Sequence, residues 1–440
     1  MDRSPSRHRR SRRAAAALVA CSLALAPAVA SAGGAGPIVR VSLDLRGGDA
    51  DAVSEHPRLS ADGRAVVFTS RASDLVPGDR QGHADVFLRD LGRDTTTRVS
   101  VDRRGGDPND DSVDASVSAD GRRVAFTSYA SDLVASDTNG ASDVFVRDLP
   151  AGTTTRVSVD TAGGEPNGAS DLPWISADGR YVAFTSLASD LVPGDGNHAG
   201  DVFLRDLVAG TTTRVSVDAA GGDADGPSYD PTVSADGRHV AFTSFATDLV
   251  GGDANGAWDV FLRDVVAGTT TRVSVDGAGG DAGADSFATS LSATGRYVAF
   301  FSSAADLVAP DPNGAIDVFL RDVVAGTTTR ISDDAAGGPA DGPSFSASVS
   351  ATGRYVAFYS QATDLAGADA NRTDDVFVRD VPAASTVRVS VDLAGGDPDG
   401  LSVSPSLDAS GRVVAFSSWA SDLVAGDGNG VSDVFLVDLR

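Results

Sequence analysis

The sequence predicts an all-β fold: a seven-bladed β-propeller of four-stranded antiparallel blades, its ring closed by an N-terminal strand d. Three observations carry this. A 58-residue unit recurs seven times with no insertion or deletion, apolar residues inside each unit alternate with period two, and one phrase of the repeat is out of step with the others at the chain ends.

The turn glycine of S-A-D-G-R sets the period at Gly63, Gly121, Gly179, Gly237, Gly295, Gly353 and Gly411. The aspartate of D-V-F keeps the same step from Asp85 to Asp433. In the second unit, Ala115 to Ser118 reads as strand a, Asp120-Gly121 as a tight turn and Arg123 to Ser128 as strand b. A long polar loop follows, then Asp143 to Leu149 as strand c, a turn at Ala151-Gly152, and Thr154 to Asp160 as strand d. β-Branched and aromatic residues fill the strands, while Gly, Asp, Asn and Pro fill the joints. A β-solenoid would ordinarily use a shorter repeat and capping ends.

The phrase R-V-S-[VL]-D starts at Arg40, before the first S-A-D-G-R, and no copy follows the last D-V-F. Arg40 to Asp44 can therefore supply strand d to a blade whose other strands lie within Ser404 to Leu439, which leaves neither end as a bare edge. Strand b repeats Phe68 and strand c repeats Phe87, and these two positions account for 14 of the 18 phenylalanines. Each buried Phe is worth roughly 1.5–3 kcal/mol, so the two positions are expected to form the blade core.

These phrases resemble the TolB-type, WD40-like (PD40-type) propeller repeat, usually written S-P-D-G-x-x-I-A-F-x-S with a later D-I-Y-V-x-D. The resemblance spans about 400 residues and implies the propeller fold. Two features depart from TolB itself: seven units in place of six, and no separate N-terminal domain before them. The family's envelope role does not transfer on this basis.

Residues 1–32 read as a signal peptide, with a basic stretch (Arg7 to Arg13), an apolar run from Ala14 and an A-x-A site at Ala30-Ser31-Ala32. Residues 33–37 form a short linker, and 38–440 the propeller. An exported location is expected, extracellular or periplasmic and cell-envelope. Ser11-Arg12-Arg13 has a twin-arginine look, and Leu18 to Cys21 fits a lipoprotein box that would anchor the chain through Cys21. Cys21 is the only cysteine, so cleavage after Ala32 leaves no thiol for disulfides, zinc or nucleophilic catalysis. The remaining chain carries 30 arginines, no lysine and 60 acids, a net charge of −30. Such a surface excludes nucleic acid and anionic lipid as partners and favours cations and basic partners. A monomer without a transmembrane span is expected.

Alternate turns of an antiparallel blade go to opposite ends. The short a–b and c–d turns share one end, and the long b–c and d–a loops share the other, where binding is expected. The b–c loops carry D-x-N-G-x-x-D, with oxygen ligands of the kind Ca²⁺ prefers: Asp137, Asn139 and Asp143; Asp195, Asn197 and Asp201; Asp253, Asn255 and Asp259; Asp311, Asn313 and Asp317; Asp369, Asn371 and Asp375; Asp427, Asn429 and Asp433. The first unit departs, with Asp79, Gln81 and Asp85. Two readings stay open. The sets bind Ca²⁺, or Asn-Gly makes a turn while the Asp side chains cap backbone N–H groups; capping is expected of Asp132 and its six equivalents.

Catalysis needs unlike groups at one point, yet the histidines His56, His83, His198 and His239 fall at four different repeat positions, and Glu55 and Glu165 are the only glutamates. No Ser-His-acid set, histidine cluster or phosphate loop stands out. Two loop positions do vary: Arg71, Tyr129, Leu187, Phe245, Ser303, Gln361, Trp419, and Ala84, Ser142, Gly200, Trp258, Ile316, Asp374, Ser432. Tyr129, Phe245, Trp258 and Trp419 are therefore candidate partner anchors. The expected function is a non-catalytic binding scaffold for a protein or glycan on the acidic long-loop end, with Ca²⁺ ordering as an option. The alternative is a metal-dependent hydrolase or lyase at the central channel.

Overall fold

The computed structural model describes residues 36–309, 311–367 and 369–439. The expected signal at 1–32 and Cys21 lie outside the described residues. Seven four-stranded antiparallel sheets form the molecule. Blade 1 comprises Ser54–Leu59, Ala65–Ser70, Asp85–Asp90 and Thr95–Arg98 as strands a to d, and blades 2 to 6 repeat it at 58-residue steps to Ser385–Arg388. Blade 7 takes strands a to c from Ser402–Leu407, Val413–Ser418 and Asp433–Asp438. Its strand d is Val39–Arg40, paired antiparallel with Leu436 and Phe435, so the N-terminal phrase closes the ring as its offset predicts.

The strands a of neighbouring blades touch in a closed circuit, which makes them the inner wall. Five short-turn alanines extend the circuit with blade-to-blade hydrogen bonds, among them Ala409 N–H to Ala61 C=O across the closure at 3.0 Å. Cores lie between blades: Ala65 and Val67 of blade 1 pack with Val124 and Phe126 of blade 2. Within each blade the strand-b and strand-c phenylalanines pair at 5.6–5.9 Å between ring centroids, inside the range where offset rings attract.

Strand limits differ from the sequence reading at two places. Strand a of blade 2 begins at Ser112, three residues early, because a bulge interrupts its pairing between Val113 and Ser116. The bulged residue is left-handed in six blades: His56, Asp114, Leu172, Asp230, Ser346 and Ser404 have φ of 44–55°. An inserted residue breaks the alternation from which the strand was read. Strand d of blade 2 ends at Arg156, earlier than expected, because the hydroxyl of Ser158 accepts the Val144 N–H in place of a backbone carbonyl.

Candidate functional site

The long b–c and d–a loops meet at one end, as expected, and an arginine joins them. The arginine of R-V-S closes strand d and turns its guanidinium into the acidic loop set. Arg214 lies 3.1 Å from Asp195, 3.8 Å from Asp201 and 2.6 Å from Asp223 of the d–a loop. Arg98, Arg156, Arg272, Arg388 and Arg40 repeat this arrangement with Asp107, Glu165, Asp281, Asp397 and Asp49 as the third acid. Blade 5 solves the same problem differently. Pro339 replaces the third acid, and Asp333, which bridges to Pro339 across the loop, bonds Arg330 at 2.8 Å instead.

Ser216 donates its hydroxyl to Asp201 at 2.5 Å, and the other six blades copy this buried pair. Asn197 accepts the Ala199 N–H and donates to Asp201 and to the Ala224 carbonyl of the d–a loop. The same three bonds recur at Asn139, Asn255, Asn313 and Asn429. Asn371 makes them with Asp375, Pro398 and Thr373. Each D-x-N-G-x-x-D set thus surrounds a guanidinium, and a Ca²⁺ ion at that place would compete with it. Asp132 accepts a backbone N–H from the d–a loop, from Asn109 at 3.2 Å, and its six equivalents do likewise.

Two or three acids share one arginine in low dielectric, and burial is the largest influence on them. It pushes Asp85 up to about 7 and Asp143, Asp253, Asp375 and Asp427 to about 6, with the arginine pulling the other way.

The repeat breaks at the inner wall. One strand-a position carries Arg58, Ser116, Trp174, Thr232, Ser290, Ser348 and Ser406. The four serines each accept a backbone N–H from the next blade at 3.0–3.1 Å. Arg58 and Trp174 instead reach across a blade, with the guanidinium 5.2 Å from the indole centroid. Burial holds Arg58 below its ordinary value, with Asp114 opposing. Asp114 is raised by burial, offset by His56 and Arg58, and Asp230 is raised by burial and by Asp114.

On the other side of the ring, aromatic rings touch in sequence along blades 4 to 6. Phe245 lies 5.4 Å from Trp258; Trp258 contacts Tyr229 and Phe287 at 5.9 and 6.4 Å; Phe287 meets Phe301 at 5.3 Å; Phe301 meets Phe345 at 6.1 Å; and Phe345 meets Tyr359 at 5.5 Å. Gly200 helps to seat the arc, because the Tyr229 ring lies 2.6 Å from where a Cβ would stand. Of the four expected anchors, the structure brings Phe245 and Trp258 together; Tyr129 and Trp419 are exposed on blades 2 and 7, away from the arc. Sequence reading missed Arg58, Asp114, Asp230 and most of the arc. One signal was available: the four phenylalanines outside the core positions, Phe245, Phe287, Phe301 and Phe345, all belong to the arc.

His83 Nδ1 lies 3.3 Å from Asp111, and with Asp110 these residues form a group that could hold a metal ion. Asp111 is also bonded to Arg71 and to the Ala84 N–H, both at 2.8 Å. No helix among the described residues is long and apolar enough to cross a membrane.

No known family signature matches this chain, and no curated protein does. Among solved structures it is similar to the β-propeller domain of the Trilobed protease from Pyrococcus furiosus, at 11% identity over 88% of this chain and 95% of that one, TM-score 0.55. It is also similar to an oligogalacturonate lyase from Vibrio parahaemolyticus, at 13% identity over 92% and 98%, TM-score 0.52. An oligogalacturonate lyase in complex with manganese aligns at 13% identity over 93% and 99%, TM-score 0.53. TolB from Acinetobacter baumannii aligns at 16% identity over 78% and 64%, TM-score 0.41. At such identities the likeness to the protease and lyase propellers speaks for the fold alone.

Proposed function

We propose that this chain is an exported, non-catalytic binding scaffold that holds a partner at the mouth of its ring, on the long-loop end. The observation that carries the reading is the aromatic arc. Packing favours sameness among repeats, yet seven aromatic rings outside the repeat converge on one sector of one end. Aromatic side chains at a rigid rim supply contact area at low entropic cost. In this reading the arginines order the loops beneath the rim, and Ca²⁺ is not required for it. Export rests on residues 1–32.

A photo-crosslinking residue placed at Phe245 or Trp419, and at Val208 or Val324 of the opposite end, tests the surface in the producing cells. Specific adducts from the first pair alone support the reading. Equal adducts from both ends, or none from the mouth, would overturn it. Mass spectrometry of the exported protein should find a new N-terminus after Ala32.

A further inference from the structure

We propose that the mouth takes a cationic polypeptide segment, seating its apolar side chains on the aromatic arc and its basic groups against Asp171 and Asp230 on the innermost strands. This rests on the long-loop end being the binding surface and adds the chemistry of the partner.

The apolar half is continuous. From Phe245 to Tyr359 the rings run end to end across three blades, all partly exposed, with Phe245 at 42%. The polar half lacks partners. The carboxylates of Asp171 and Asp230 make no hydrogen bond or ion pair among the described residues, and Oδ1 of Asp171 is wholly buried without one. Thr232, only 4% exposed, also has an unpartnered hydroxyl oxygen, at the inner-strand position from which Arg58 and Trp174 reach across a blade. Asp171 Oδ1 and the Thr232 hydroxyl are buried and unpaired, a cost that a ligand's donors would recover, while the Asp230 carboxylate is exposed and open to an ion pair.

The sign of the partner follows from the wall's own charges. Glu55, Asp114, Asp171 and Asp230 stand on the innermost strands against one guanidinium, Arg58. Asp114 already interacts with Arg58 and His56, which leaves Glu55, Asp171 and Asp230 uncompensated, and of these Asp230 adjoins Tyr229 of the arc along its strand. The net charge of −30 beyond residue 32 extends the same sign over the surface. A guanidinium or ammonium between carboxylates and ring faces gains both an ion pair and a cation–π contact. A neutral sugar would stack on the rings and leave both carboxylates unpaired.

Calorimetric titration of the purified chain near physiological salt tests this with three probes: a capped hexapeptide alternating Arg and Leu, the same peptide with Glu for Arg, and a neutral cello-oligosaccharide. The Arg-Leu peptide should saturate at one per chain. Asp171→Asn with Asp230→Asn should weaken it at least about tenfold at unchanged melting temperature, whereas Asp120→Asn with Asp178→Asn on the short-turn end should not. Tighter binding of the Glu peptide, or equal loss from both pairs, would overturn the assignment. If only the sugar or the Glu peptide binds, and Trp258→Leu weakens it, the mouth stands as a binding surface and the cationic assignment falls. Binding of none of the three removes both.

Discussion

Arg214 is the residue on which each long-loop unit turns. Its side chain is 7% exposed, and it faces Asp195 and Asp201, which are 4% and 1% exposed. Such a pair is weak evidence of net stabilisation, but removing one partner strands the buried charges left behind. Arg214→Ala should therefore cost about 3–5 kcal/mol in urea unfolding at pH 7.5. The loss should shrink at pH 5, where the abandoned carboxylates protonate. Arg214→Lys should recover little, since one ammonium cannot copy the fork that spans acids from two loops. An Arg214→Ala protein as stable as the parent would show that the loops are held by their turns alone. The same cage gives a metal prediction. Chelation or added Ca²⁺ should leave the parent's melting temperature unchanged, while Ca²⁺ should raise that of Arg214→Ala, where the competing guanidinium is gone.

At the scale of the blade, the exchange at Asp333 and Pro339 is an experiment already present in the chain. Five blades keep Val or Leu opposite Asp at these two facing positions, or Val opposite Glu in a sixth, and one carries Asp opposite Pro. Asp333→Val should cost roughly 2 kcal/mol, because it removes the acid bonded to Arg330 at 2.8 Å. Adding Pro339→Asp should restore most of that, with a coupling of about 0.5–3 kcal/mol in a double-mutant cycle. Additive effects would mean that the two positions do not share a role. The blade also shows what a sequence can and cannot disclose. Strand b was legible to the residue because Arg123 to Ser128 is a short run of apolar and β-branched residues, buried from Val124 on, that follows a turn glycine and meets strand c in full register. Strand a was not, because a left-handed residue at Asp114 shifts the alternation halfway along. The D-x-N-G-x-x-D sets were legible as a cluster of oxygens. Their cation was hidden, because Arg156 is 13 residues beyond Asp143 and enters only when strands c and d pair. Only the start of the aromatic arc was legible: Phe245 and Trp258 stand at variable loop positions, but Phe287 and Phe301 become neighbours only through strand pairing.

Across the whole molecule, two sets of carboxylates set opposite pH limits. Asp85, raised to about 7, and Asp143, Asp253, Asp375 and Asp427, raised to about 6, hold protons more tightly folded than unfolded. Their contribution is complete below about pH 4 and is lost as pH rises through 6 to 7. Asp206 and Asp264 are held well below the carboxylate range by hydrogen bonds from Arg180 and Arg238, and Asp322 is held at about 2 by Arg296. Their contribution is present above about pH 4 and is lost as pH falls toward 2. The melting temperature should therefore be higher at pH 5 than at pH 7.5 and fall below pH 3; a flat or rising profile from 5 to 7.5 would contradict the burial of the arginine-bound acids.

Ring closure is the other property that belongs to no single blade. Val39–Arg40 is a two-residue strand, yet Arg40 also bridges Asp427 and Asp433 at 3.4 and 3.5 Å, and Ser42 donates to Asp433 at 2.6 Å. Removing residues 36–45 would strip these bonds, uncover the edge of Asp433–Asp438 and leave two acids of blade 7 without their arginine. The shortened chain should melt earlier and associate in a concentration-dependent way through the bare edge. A peptide of residues 36–46 added in excess should reverse both effects, because it returns a strand and a cation together. A variant peptide with Arg40→Ala should bind the edge but restore less stability. If the shortened chain is monomeric and melts with the parent, the ring is held by contacts between blades, and the N-terminal strand is not its fastener.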